Sequence, residues 1–473
     1  MMTTTFILAA AFALPAHADA PQPSTAARVP MVLIDAQLRA RPIGLVRYSS
    51  PADGRAGELV FTEQGSESPV TLPARQVLAL AGSGWIVDPL SSSPPAPAAV
   101  PSGPTTARTP AVVEAVPPTD PTAANQPAPL SNFRPWVRMV DGQRLVGFPA
   151  RAVDAADPAA DAKPDDGQTL LWLHNRLGML RLPVESISSL VLRPSPAPTA
   201  GPTATSDQVV LANGDRLTGF VDSIGEVVTI SPPKGAAKPA RTEPTRIPID
   251  QIAQIHLANP PEPARGGMVW LSDGSIVGAA AADIDAATKR ALLVGARPSA
   301  SGAKKQAGGS GSFDVGEFRA LAVEAARLTP LAALPIAEQR AWPGRSHFDP
   351  VIIAPTSPTL GSPLGADDLV LPGPMTVSWT LPAGSSRLSG WLVLEERSWA
   401  WGDCEVTFTA APPDGPERVL ARARLNASAP VAPFIAELPA RSRLTVSVDP
   451  GEHGPVQDRV VIRHALVGIE PPD

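Results

Sequence analysis

The chain has 473 residues, a formal net charge of −6, 58 prolines and a single cysteine. No long basic run interrupts that acidic balance, which excludes the electrostatic footprint of nucleic-acid binding, and one cysteine excludes an intrachain disulfide framework. The length suits about three ordinary domains, whereas internal repeats mark four small units and one larger one, with linkers absorbing the difference.

At the N-terminus, Phe6-Ile7-Leu8-Ala9-Ala10-Ala11-Phe12-Ala13-Leu14 is an apolar run of secretory length. Two small-x-small patterns follow it, Ala16-His17-Ala18 and Ala18-Asp19-Ala20, so residues 1–20 read as a cleaved signal peptide, although no Lys or Arg precedes the run. The run is too short to span a bilayer, no later one reaches about 18–20 apolar residues, and no cysteine near the cleavage site offers a lipid anchor. An exported protein of the periplasm, the extracellular space or the cell envelope is expected.

Four related units come next. Unit one (28–90) is a decayed copy, with Val32-Leu33-Ile34-Asp35 leading to Gly44 at its opening and Leu72-Pro73, Val77 and Leu80 at its close. A Pro- and Ala-rich linker (91–130) leads to unit two (134–193), which opens Met139-Val140-Asp141-Gly142-Gln143-Arg144-Leu145-Val146-Gly147-Phe148 and closes with Leu182-Pro183, Ile187 and Leu190. After a linker at 194–206, unit three (207–258) repeats the pattern as Leu211-Ala212-Asn213-Gly214-Asp215-Arg216-Leu217-Thr218-Gly219-Phe220 with Ile247-Pro248, Ile252 and Ile255. A third proline-rich spacer, 258–266, precedes unit four (266–326), which opens around Ser272-Asp273-Gly274-Ser275 and closes with Phe313, Phe318 and Leu321, Asp314 standing where the others have proline.

Asp-Gly and Asn-Gly between apolar runs predict a tight hairpin in which both turn residues take positive φ. A third strand follows, Leu170-Leu171-Trp172-Leu173 in unit two and Val227-Val228-Thr229-Ile230 in unit three. Polar, variable stretches at 153–167, 231–245 and 296–312 belong in exposed loops. Each close predicts a short strand, a proline starting a single helical turn, and a last strand. Five strands with one such turn resemble a small SH3-like or Sm-like barrel; an open five-stranded meander is the alternative. A unit of about 50 residues has little core of its own, so the copies are expected to pack together or pair edges, while the proline-rich segments act as stiff spacers between them.

Beyond a connector at 327–349 the texture changes, and strand-like runs at regular spacing predict an antiparallel sandwich over 350–473. On its last strand, Val461, Arg463 and Ala465 should face away from Val460, Ile462 and His464. Four segments carry a family resemblance: Gly373-Pro374-Met375-Thr376-Val377-Ser378-Trp379, Arg387 to Glu396, Cys404 to Phe408, and Asp458 to Val467. In these, residues 350–470 resemble the NPCBM jelly-roll module of secreted bacterial proteins, which implies carbohydrate recognition. Ile462 stands where that family usually has tryptophan, and Arg459 where it often has histidine.

The candidate sugar-binding residues are Trp399, Trp401, Asp403 and Asp458: flat rings on a loop beside carboxylates suit the CH face and hydroxyls of a sugar. Trp391, in an unbroken apolar run, reads as core, and Cys404 as a small buried residue. Glu395-Glu396 and Asp367-Asp368 lie adjacent, so on a strand they point to opposite faces and do not form the facing pair a glycosidase needs. The six histidines are scattered, and no nucleophile elbow, metal-ligand pair or phosphate-binding loop occurs. No cofactor is indicated; calcium would want several oxygens, and no spacing specifies them. The expectation is a mostly β, exported binding or scaffold protein whose partners are carbohydrate or an envelope protein. An accessory or catalytic part of a glycoside-hydrolysing system, and self-assembly through repeat edges, are the competing readings.

Overall fold

A computed structural model of the protein describes residues 28–50, 57–86, 133–150, 168–194, 206–232, 243–264, 266–295, 311–343, 349–357, 360–395, 398, 401–413, 415–452, 454 and 458–470. The expected signal peptide, the linker at 91–130, the loop at 153–167 and most of the stretches at 194–206, 231–245 and 296–312 lie outside them. Unit one comprises β1 (Val29–Asp35), β2 (Ala40–Ser50), β3 (Glu58–Glu63), β4 (Pro69–Pro73) and β5 (Val77–Gly82). Unit two comprises β6 (Trp136–Met139), β7 (Arg144–Pro149), β8 (Thr169–His174), β9 (Gly178–Pro183) and β10 (Ile187–Val191). Unit three comprises β11 (Asp207–Leu211), β12 (Arg216–Ser223), β13 (Val227–Ser231), β14 (Thr245–Pro248) and β15 (Ile252–His256). Unit four has β16 (Gly267–Leu271), a second strand split into β17 (Ile276–Ala279) and β18 (Ala281–Asp285), then β19 (Arg290–Val294), β20 (Gly311–Asp314) and β21 (Phe318–Ala322).

In every unit the first four strands pair in sequence and the last returns antiparallel to the first. Pro73, Pro183 and Pro248 each stand immediately before a single 3-10 turn. At the fourth such turn the Asp314 carboxylate accepts from the Gly316 amide at 2.7 Å, doing by hydrogen bond what proline does by its fixed φ.

The hairpin differs from the expectation. Gly142, Gly214 and Gly274 take φ of 88°, 93° and 90°, whereas Asp141, Asn213 and Asp273 do not have positive φ. Each turn is an ordinary one followed by a left-handed glycine, the three-residue hairpin loop, and the preceding side chain accepts from the amide two residues on, as Asp273 does from Ser275 at 2.8 Å. The later glycine of the motif serves close packing: a Cβ on Gly219 would lie 2.3 Å from the Ser231 carbonyl oxygen.

The units are not spaced apart on stiff linkers. β5 pairs with β21 about Leu80 and Leu321, and β10 pairs with β15 about Leu190 and Ile255. These four residues occupy the same position of the repeat, so unit one pairs with unit four, and two with three, through last strands related by local two-fold symmetry. β18 also pairs with β2, and β17 meets β7. One hydrophobic core runs through all four units. Nor is 258–264 a free spacer, because Asn259 Nδ2 donates to the Val184 and Ile187 carbonyls at 2.9 and 2.8 Å.

The C-terminal sandwich has two sheets. Its strands are β22 (Leu328–Pro330), β23 (Ile336–Ala341), β24 (Ile352–Ala354), β25 (Asp368–Pro372), β26 (Met375–Thr380), β27 (Ser385–Leu394), β28 (Asp403–Ala411), β29 (Arg418–Asn426), β30 (Val431–Glu437), β31 (Arg443–Pro450) and β32 (Arg459–Ile469). One sheet runs β24-β25-β32-β27-β30 with β22 also on β32; the other runs β23-β26-β31-β28-β29. The segment 327–349, expected as a connector, thus supplies a strand to each sheet. Trp379, Phe408, Leu392 and Ile462 fill the space between the sheets, and Cys404 is buried with them, its thiol pushed up to about 12 chiefly by burial.

The last strand breaks its expected alternation. Ser389 of β27 faces Leu466 and Trp391 faces Arg463, so two residues of β32, His464 and Ala465, stand opposite the single Gly390. This bulge, with His464 at φ 53°, puts Ala465 and Val467 in the inner core with Val460 and Ile462 and releases His464 from it.

Candidate functional site

His464 turns outward onto unit one. Its ring stacks on Trp85 with centroids 4.2 Å apart and planes 22° apart. Trp85, Leu38, Trp270, Leu328, Leu364 and Leu466 belong to a separate apolar core that joins units one and four to the sandwich. Leu38 occupies the turn position that is glycine in the other units, at φ 60° and buried. A left-handed leucine costs about 1–2 kcal/mol and its burial stabilises by about 1.5–3 kcal/mol, so docking offsets the strain. Asp35 shapes the turn, accepting from the amides of Gln37 and Arg39 at 2.9 and 3.0 Å and pairing with Arg39 Nε at 2.9 Å. The loss of the turn glycine in unit one is therefore the mark of an interface.

Beside this junction lies a cleft of about 370 Å³, within the usual range for small-molecule sites. Unit one supplies one wall through Ile34, Leu38, Arg39, Ala40 and Trp85; β27, β30 and β32 supply the other, including Trp391, Phe434 and His464. Trp391, expected in the core, is half-buried on the outer face of the sheet. The reason is parity: Leu388, Leu392 and Leu394 take the inner face of β27, and the odd-numbered residues point out.

Three strands align polar groups with that ring. Trp391 faces Arg463 in the register, and the Arg463 guanidinium lies 3.3 Å from the Asp368 carboxylate on β25. Burial outweighs Arg463 and pushes the Asp368 carboxyl up to about 6. Asp368 Oδ1 and His464 Nδ1 are buried without a hydrogen-bond partner among the described residues. Burial, with Arg463 adding to it, pushes His464 down to about 4, so its imidazole is neutral near pH 7. The cleft thus offers two indole rings, the Arg39 side chain and a neutral imidazole, and the Arg463–Asp368 pair lies beside Trp391 outside its lining.

The residues singled out from sequence lie elsewhere. Trp399 is outside the described residues. Trp401 is 61% exposed. Asp403 is buried and its two oxygens receive Arg424 Nε and Nη2, each at 2.8 Å, and the Glu452 amide at 3.0 Å. Asp458 is buried as well, and Asp403 N lies 3.3 Å from its Oδ1. Both carboxylates hold this end of the sandwich together, leaving Trp401 as the ring presented to solvent. Of the adjacent acids, Glu395 pairs with Arg459 at 3.1 Å.

One buried pair imitates a nucleophile and its base. His174 Nε2 lies 3.0 Å from Ser275 Oγ across the junction of units two and four. The amides of Arg176 and Leu177 both donate to His174 Nδ1, at 3.0 and 3.1 Å, which places the proton on Nε2. That nitrogen donates to the serine and cannot take its proton, and Ser275 is fully buried. Ser275 Oγ also accepts from the Val146 amide at 3.2 Å, so Ser275→Ala would strand two donors. The expected loss is about 1–3 kcal/mol of stability, read in urea denaturation, with ligand binding unaffected.

No group of three or more metal-ligating side chains occurs among the described residues, and none of their helices is long and apolar enough to cross a membrane. No known family's sequence profile and no curated protein matches the chain. Among solved structures it aligns with CBM51-2 in complex with GlcNAc and INT domains from Clostridium perfringens ZmpB, at 10% identity and TM-score 0.23, over 44% of this chain and 38% of that one. It also aligns with CBM51 from Clostridium perfringens GH95 in complex with methyl-galactose, at 8% identity and TM-score 0.22, over 30% and 99%. A third is the CBM22-1-CBM22-2 tandem domain of Paenibacillus barcinonensis Xyn10C, at 11% identity and TM-score 0.21, over 56% and 72%. At these scores the description of the sandwich rests on its own strand pairing.

Proposed function

We propose that the protein is an exported, non-catalytic carbohydrate-binding protein whose C-terminal NPCBM-like sandwich holds the ligand and whose four SH3-like or Sm-like units serve as its platform. The observation that carries this reading is the partly exposed Trp391 ring on the wall of an apolar cleft, with the Arg463–Asp368 pair beside it in the sheet register. A sugar needs this combination: an aromatic face for its CH groups and charged oxygens and nitrogens for its hydroxyls. Export is supported by the apolar run and small-x-small patterns before residue 21. The exposed strand β4 offers an edge to an envelope protein or to a second copy.

The test is a glycan array followed by calorimetry on the full chain. Trp391→Ala should weaken binding about tenfold or more, the equivalent of about 1.4 kcal/mol, while Trp401→Ala leaves it unchanged. Binding lost with Trp401 and kept without Trp391 would move the site to the loop beside Asp403. Binding to no glycan at all would reject the reading.

A further inference from the structure

We infer that unit one is part of the same site and sets which portion of a glycan can enter: a chain end, not an internal residue. This rests on the carbohydrate reading of the cleft. The outer face of β32 carries Arg463 beside Trp391, then His464, then Leu466 and Gly468. Unit one covers the last two, since Leu466 lies in the joining core and a Cβ on Gly468 would sit 3.4 Å from Leu38 Cδ1. A sugar lying on Trp391 and extending along the strand toward Gly468 therefore meets Leu38 and Trp85. A polymer passing through would need that end open; a terminal residue does not.

The wall has the features of a recognition surface. Trp85 holds His464 flat by stacking, and the imidazole lines the cleft with Nδ1 lacking a protein partner among the described residues. Arg39 lines the same wall and is directed by Asp35. Unit one alone among the four has leucine at the turn, so the closure is written into its departure from the repeat.

The experiment uses the full chain on an array of oligosaccharides in matched pairs, each sugar presented once as the chain end and once capped by a further residue. The wild type should bind the terminal member of a pair at least tenfold more tightly than its capped partner. Trp85→Ala and Leu38→Gly should bring the two within about threefold, mainly by gaining the capped glycan. Leu38→Gly restores the residue of the other three units, so it tests the wall even where Trp85→Ala lowers folding; thermal melts identify that case. Equal binding of both members by the wild type, or an unchanged preference in Leu38→Gly, overturns the inference and leaves the carbohydrate reading standing. Loss of all binding in the wild type overturns both.

Discussion

Leu80→Asp is expected to unfold the four-unit body while the sandwich keeps a cooperative transition of its own. Leu80 is fully buried, points into the core shared by all four units, and sits opposite Leu321 where β5 pairs with β21. Removing the leucine side chain from such a place costs about 2–5 kcal/mol, and burying a carboxylate with no partner adds several kcal/mol. Against a total stability of about 5–15 kcal/mol for an ordinary domain, that sum is disabling. The sandwich core around Trp379 and Phe408 contains no residue of the repeats, so calorimetry should show one transition lost and one retained. Phe148→Asp, on a residue 50% exposed, is the control and should move stability by no more than about 0.5 kcal/mol. If Leu80→Asp melts like the control, units one and four are not joined through their last strands.

The strands and turns of each unit were legible because their signals are local. A proline before Val77, Ile187 or Ile252 marks a tight turn whatever surrounds it. How the units pair was harder to see, because pairing depends on residues far apart in sequence. A hint was nevertheless present: Ala79-Leu80-Ala81 and Ala320-Leu321-Ala322 have small apolar residues on both sides of the core leucine. Units two and three carry Ser189 and Val191 about Leu190, and Gln254 and His256 about Ile255, instead. The alanine pair forms a strand surface that packs on both faces, and it is this pair that joins the sandwich. The cleft was hidden for a different reason. Trp391 lies in an apolar run whose two faces cannot be distinguished without knowing what covers each, and His464 reaches the cleft only through a bulge that a strict two-residue period does not contain. Asp403 suggested a ligand group because nothing in the chain order reveals that Arg424, from the neighbouring strand, meets its carboxylate.

Two buried groups, His464 in the cleft and Asp368 beside it, should largely offset each other's effect on stability between pH 4 and 6, and single substitutions should expose each. His464 is pushed from an ordinary 6.5 down to about 4, mainly by burial. The folded protein therefore holds its proton less readily than the unfolded chain. Its contribution is complete above about pH 6.5, falls as the pH drops through the window, and is gone below about 4. A gap of this size amounts to roughly 3 kcal/mol. Asp368 has the opposite sign. Burial raises it from 3.8 to about 6, so the folded state binds that proton more readily and stability falls as the pH rises from about 4 to 6, by a similar amount. His464→Phe keeps a ring against Trp85 and removes the first effect; relative to wild type, the variant should gain stability as the pH is lowered from 6 to 4. Asp368→Asn removes the second and, relative to wild type, should lose stability over the same interval. Urea denaturation at pH 4, 5, 6 and 7 decides this, because acid groups common to both proteins cancel in the difference between variant and wild type. A difference between His464→Phe and wild type that stays constant with pH would mean that the imidazole is not held neutral against Trp85. A difference that grows as predicted places an uncharged imidazole at the wall of the cleft across the neutral range.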